Sequence, residues 1–245
     1  MTTRSQSVTE ELRALLLSGR ISQGEHLQEQ PLADRLGVSR TPLRAALATL
    51  NNEGILEYTP KRGYVVRAFN VGDVTEAWQI RAWLEGLAAL RAAERGLSRD
   101  AEQRLRALIE QGDNILAKGV LDPDDLGPYR SMNVAFHAEV IRISDSVRLG
   151  EMIGKTLNIP MVSNRIIPWD DFEHIKRSHD DHHRIFDAIR SRETWRAEAL
   201  MREHIYSGIK RLNAFDLKKE WNANSLLDRA VGAGTNTTTT KGIER

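Results

Sequence analysis

Apolar residues recur at helical spacing along most of the chain and at strand spacing in one short stretch. Leu12, Leu15 and Leu16 line one side of a first helix, expected to stop near Ser18 and Gly19. A second short helix is predicted over Glu29–Leu36, ended by Gly37. Ser39 is placed to cap a third, which carries Leu43, Ala46, Leu47 and Leu50 on one side. Thr41 and Pro42 fall in its first turn, where proline is tolerated. The period then shortens, and "ILEYTPKRGYVVRAF" reads as two strands around "PKRG". Three helices and a hairpin within about 65 residues make a small winged domain.

From Asp73 onward only helical patterning remains. It predicts helices over Asp73–Arg95, Arg99–Lys118, Asp122–Ile143, Val147–Ile166, Asp171–Ser191 and Thr194–Leu217. Pro160 lies inside the fourth and is expected to kink it or break it in two. The fold class is therefore mainly α: an N-terminal winged helix-turn-helix, then an all-α bundle of six or seven helices. The divisions expected are residues 1–70, 71–220 and a tail, 221–245. The stretch "VGAGTNTTTTKGIER" has little to bury and is expected to be disordered.

Composition narrows the picture without redirecting it. The 245 residues are 40% hydrophobic and 28% charged, with a net charge of +1. No apolar run approaches the roughly 18 residues of a membrane span. The polar start "MTTRSQSVTEEL" lacks the apolar core of a signal peptide, so a cytoplasmic location is expected. Without cysteine, disulfides are excluded, and a metal would have to use His, Asp, Glu or Asn.

Local charge says more. In "LADRLGVSRTPLR" three arginines, Arg35, Arg40 and Arg44, stand without an acid between them. Leu32 and Leu36 pack inward, Gly37 permits a tight turn and Val38 plugs it. The start of the third helix then offers Ser39, Arg40, Thr41 and Arg44. Hydroxyls and backbone N–H groups at a helix N-terminus suit phosphates, and arginine can grip guanine. Lys61 and Arg62, at the hairpin tip, are placed to reach the adjacent groove or backbone. A solvated basic face on a structural helix corner is the plain alternative. The basic wing at the right distance turns the balance toward DNA.

The bundle brings histidines inward from three helices. His137 shares a face with Val134, Val140 and Ile141, and Asn133 lies one turn ahead of it. His182 shares a face with Ile175, His179, Ile185 and Phe186, while His183 faces water with Lys176, Asp180 and Asp187. His204 lies with Ala197, Leu200 and Met201. Three imidazoles suit a divalent metal, zinc or nickel foremost, and a set of hydrogen-bonded core histidines is the alternative. No motif selects His174 or His179, and both are expected at the surface or behind the ligands. Arg81 sits on the apolar stripe of Val74, Ala77, Trp78 and Leu84 and needs a partner. That partner is either internal, Glu85 one turn on, or the carboxylate of a small organic acid, which arginine matches bidentately. Arg130, three residues before Asn133, is expected to line the same cavity, with Asn164 and Arg165 as further candidates.

The stretch "ISQGEHLQEQPLADRLGVSRTPLRAALATLNNEGIL" and the wing "PKRGYVV" resemble the winged helix-turn-helix of GntR-type bacterial transcription regulators. The stretches "DVTEAWQIRAWLEGLAALRAA", "NVAFHAEVIRISDS" and "DDHHRIFDAIRSRETWRAEALMREHI" resemble the FCD effector-binding domain of the FadR subfamily. The resemblance implies that Ser39, Arg40 and Arg44 contact operator DNA and that Gly63 lets the wing approach it. Gln30 stands where some members carry arginine. The metal ligands it implies fall on Asn133, His137, His182 and His204, with asparagine in place of the family's aspartate. It further implies a homodimer on a near-palindromic operator, repressing a catabolic operon in response to a small organic acid. Two other readings stand beside it: a histidine-cluster metalloenzyme, and a DNA-binding dimer with a vestigial effector pocket.

Overall fold

The computed structural model describes residues 4–17, 20–159, 162 and 172–212. The first apolar stripe folds as α1 (Arg4–Leu17), which buries Val8, Leu12 and Leu16 against α3 (Arg40–Asn52). Arg13 fastens the pair from outside, donating to both carboxylate oxygens of Glu53 at 2.7–2.8 Å. Between them lies α2 (Glu29–Leu36), with the predicted bounds. Gly37 ends it in the left-handed conformation (φ 62), and the Gly37 and Val38 N–H groups return to the Asp34 and Ala33 carbonyls. This pair of bonds satisfies carbonyls that the helix end leaves open. Leu32, Leu43, Ala46 and Leu47 then close the corner, with Leu36 and Val38 half-buried against them.

The wing is β2 (Leu56–Thr59) and β3 (Gly63–Val66), paired antiparallel with Thr59 opposite Gly63. A third strand was not anticipated. β1 (His26–Leu27) pairs antiparallel with the far side of β3, giving the order β1-β3-β2. Two residues are too few to show a period of two, and β1 exists only through its partner.

The remaining described elements are six helices: α4 (Val71–Arg95), α5 (Arg99–Leu116), α6 (Pro123–Ile143), α7 (Val147–Leu157), α8 (Phe172–Arg190) and α9 (Thr194–Leu212). Capping sets their starts. Asn70 and Asp73 bond reciprocally at α4, so the helix begins two residues before its predicted start. Ser98 and Ser146 cap α5 and α7. α4 and α9 run antiparallel in close contact. A Cβ on Gly208 would stand 3.0 Å from the Trp78 ring, and one on Gly86 would stand 2.6 Å from the Arg202 stem. Buried Ala82, Ala89 and Ala93 keep α4 slim on its inner side, against Phe136, Ile185 and Met201.

The fourth bundle helix, expected to kink or break at Pro160, ends ahead of it. It stops at Leu157, with Asn158 and Ile159 closing the last turn. Ile159 precedes Pro160, and the residue before a proline is disfavoured in the helical region. Pro160, residues 163–171 and the tail lie outside the described residues. Among the described residues, no helix is long and apolar enough to cross a membrane.

Candidate functional site

The first candidate site is the exposed start of α3. Ser39 occupies the N-cap, but its hydroxyl makes no capping bond, in contrast to the expected cap. Arg35, Ser39, Arg40, Thr41 and Arg44 are all exposed. Both α3 arginines are already oriented by α2. The Arg44 Nε donates to Glu29 Oε2 at 2.8 Å, and the Arg40 Nε donates to Gln30 Oε1 at 2.8 Å. Gln30 in turn donates to Asp34 (2.8 Å), so it holds Arg40 where a second arginine would repel it.

The wing tip is a tight turn in which the Arg62 N–H returns to the Thr59 carbonyl (3.0 Å). Lys61 and Gly63 both have positive φ, 68 and 81. For lysine this left-handed backbone costs about 1 kcal/mol, borne at the exposed tip where its charge projects. A Cβ at Gly63 would meet nothing within 4 Å, so the requirement there is conformational, not spatial.

Glu29 offsets the Arg44 charge on a face the sequence assigns to DNA. Glu29→Gln is expected to tighten DNA binding by roughly two- to fivefold at low salt, the scale of an exposed ion pair. The gain should shrink as salt rises. Unchanged affinity in a low-salt titration would show that the pair does not compete with DNA.

The second candidate site is inside the bundle. His137, His182 and His204, from α6, α8 and α9, are buried together, with one ring nitrogen from each lying within 4.8 Å of the others. His137 and His204 bring their Nε2 atoms to 3.2 Å. The Nδ1 of His137 faces Glu85 Oε2 at 2.6 Å, and the Glu85 Oε1 accepts from the Arg81 Nε at 2.5 Å. Burial alone would raise the Glu85 carboxyl. The Arg81 charge and the His137 imidazole overcome it and hold the group far below the usual carboxylate range. Glu85 is thus ionised and accepts a hydrogen bond from the His137 Nδ1–H, which turns the Nε2 lone pair toward His204. Burial lowers His137 despite the neighbouring Glu85, so the ring is neutral.

His182 has neither nitrogen paired, though its ring is fully buried and stacked on Phe136 at 4.3 Å. Burial, then the neighbouring histidines, push it well below its ordinary value. Two orphaned nitrogens in a dry site cost about 1–3 kcal/mol each. A metal ion taking up the lone pair would relieve part of that, and three imidazoles fit a divalent transition metal. Asn133 is buried one turn ahead of His137. Asp181 Oδ2 stands 3.8 Å from His204 Nδ1, too far for a hydrogen bond.

The predicted effector residues separate. Arg81 is fully buried, and its partners are internal: Glu85 and the Val162 carbonyl, which accepts from Nη1 at 2.8 Å. Only its Nη2 lacks a partner. Arg130 is half-buried with an unpaired Nε, and burial lowers it. Asn164 and Arg165 lie outside the described residues. A surface hollow of about 480 Å³ between α5 and α6, lined by Glu110, Asn114, Lys118 and Asp125, includes none of them.

Sequence reasoning missed two participants. Glu85 was weighed only as a partner for Arg81, yet it also orients His137. Asp113 of α5 was not considered at all, yet it meets His179, which is buried behind His182 as one of the two expected placements has it. The place of His179 on the inner face beside His182 was visible in the helical spacing.

Residues 4–66 match the family described as bacterial regulatory proteins, gntR family, and residues 76–207 match the FCD domain. The Nta operon transcriptional regulator of Aminobacter aminovorans is 28% identical over 182 residues, 74% of this chain and 81% of its own length. The probable D-xylose utilization operon transcriptional repressor of Paenarthrobacter nicotinovorans is 28% identical over 208 residues, 83% of this chain and 86% of its own. Among solved structures, E. coli McbR/YncC shares the fold, with a TM-score of 0.70 over 91% of this chain and 100% of that one, at 22% identity.

Proposed function

Because the chain belongs to the GntR family of bacterial regulatory proteins and carries an FCD domain, it is a DNA-binding transcription regulator and not an enzyme, and we propose that it represses a catabolic operon and responds to a small organic acid bound beside a divalent metal ion. In this reading residues 1–70 read DNA, residues 71–220 hold the effector, and the protein works in the cytoplasm. Arg35, Ser39, Arg40, Thr41 and Arg44 meet the major groove and its phosphates, with Lys61, Arg62 and Gly63 on the flank.

A homodimer places two such faces on a near-palindromic operator. Ile80, Trp83 and Leu87, an exposed apolar stripe along α4, support a second copy as partner. The two heads change spacing or mobility only as far as the effector binds one arrangement better than the other.

The observation that carries the effector reading is the buried trio with its unpaired His182. His137, His182 and His204 would hold zinc or nickel, with the Asn133 carbonyl as a fourth, neutral donor. A bound metal supplies an open, positively charged position for a ligand carboxylate. Glu85 fixes the His137 tautomer, Arg81 fixes Glu85, and Arg130, seven residues before His137 on α6, is assigned to the acid.

Tag-free protein purified without chelator is expected to carry a tightly held metal that His182→Ala loses while its helical content is kept. Equal content of tightly held metal in both proteins would sink the site and leave a DNA-binding dimer with a vestigial pocket.

A further inference from the structure

The histidine trio does not account for every imidazole of α8. His179 and His183 stand one turn apart there, and Asp113 of α5 faces both. His179 Nε2 lies 3.1 Å, and His183 Nε2 2.8 Å, from the same oxygen, Asp113 Oδ1. These three atoms lie within 4.8 Å of one another. The cluster has a dry wall and an open side: the His179 side chain is 3% exposed, His183 43% and Asp113 48%.

We propose that Asp113, His179 and His183 form a second site for a divalent transition metal, separate from the trio and open to solvent. Two imidazoles one helical turn apart, completed by a carboxylate from a neighbouring helix, are a donor set for zinc, nickel or copper. Three protein ligands leave the remaining positions to water or an outside ligand, so the ion exchanges.

Two further observations favour a ligand over a plain hydrogen-bonded cluster. The first is the slot made for the His179 ring. A Cβ on Gly112 would come within 2.1 Å of the ring Cε1 and 2.7 Å of both ring nitrogens. Glycine in the middle of α5 costs about 0.5–1 kcal/mol relative to alanine, and that cost is accepted where the ring sits. The second is that the slot holds a histidine at all. An apolar side chain would fill it without leaving Nδ1 buried and unpaired, so the ring is retained for its Nε2, the nitrogen turned to Asp113. The site also lies in a negative setting, since Asp180 adds its field to that of Asp113 at His179.

The site shares no ligand with the trio, but the His179 ring lies 5.6 Å from the His182 ring, so its test is made where the trio is disabled. Tag-free full-length protein carrying His137→Ala is stripped of metal and titrated with zinc and with nickel in competition with a chromophoric chelator. It should still take up one equivalent. Adding His183→Gln should remove that equivalent or weaken it at least tenfold, and Asp113→Asn should weaken it with less loss. His183 is half-exposed, so folding is not at stake, and circular dichroism confirms equal helix content. Absence of uptake by the His137→Ala protein, or equal affinity with and without His183→Gln, overturns the proposal. Uptake by the His137→Ala protein alongside no effect of His137→Ala on total metal would overturn the trio instead.

Discussion

Arg81→Ala is expected to destabilise the helical domain by about 3–5 kcal/mol, because it strands a buried carboxylate. Glu85 is 1% exposed and would keep only the His137 imidazole as a partner. For a domain of this size the loss corresponds to a fall in Tm on the order of 10 °C. Thermal unfolding followed by circular dichroism measures it directly. The same substitution releases the Glu85 carboxyl from the charge that opposes its burial, so the group no longer holds the His137 tautomer firmly. Loss of such an outer partner typically weakens metal binding by about 10- to 100-fold. Arg81→Lys should recover little, since an ammonium cannot reach Glu85 and the Val162 carbonyl from one planar head. The result separates two roles. An unchanged Tm with a lost response to the acid would return Arg81 to the ligand and away from the internal pair.

Arg44→Ala acts at the other end of the chain and leaves the fold alone, because its side chain is 62% exposed. If Arg44 grips a base, the substitution costs about 1–3 kcal/mol, a loss of roughly 5- to 150-fold in operator affinity. If it grips only a phosphate, binding weakens evenly across sequences and the salt slope falls by about 1. Mobility-shift titrations of operator and scrambled DNA at several salt concentrations distinguish these outcomes. Undiminished binding in all of them would remove Arg44 from the DNA-contacting face.

These two residues also mark how far a sequence can be read. The corner around Gly37 is local chemistry: a left-handed glycine, inward leucines and a polar helix start follow from neighbours a few positions apart, and α2 carries its predicted bounds. The inward facing of His137, His182 and His204 is likewise fixed by helical period, and all three are buried. What stays hidden depends on partners distant in sequence. Asp113 lies 66 residues before His179, and nothing local announces their meeting. β1 needs β3 to exist, and the choice between Glu85 and a ligand for Arg81 turns on which helix covers it. The end of the fourth bundle helix is local chemistry too: Pro160, expected to break it, stands three residues after Leu157, and the residue before a proline is disfavoured in the helical region.

The unanticipated strand β1 has a consequence for how operators are chosen. β3 is bonded on both edges, and the segment before β1 adds the Val66 N–H to the Glu25 carbonyl (2.9 Å) and the Gly24 N–H to the Val66 carbonyl (2.8 Å). The amide protons of β3 should therefore exchange only with opening of the whole winged domain, not by local fraying. On the proposed DNA face, a wing held from both sides shifts little, so Lys61 and Arg62 keep nearly the same separation from Arg40 and Arg44. The DNA must supply the adjustment. Part of the operator preference should then fall on base pairs that no side chain touches, where groove width and ease of bending decide the cost.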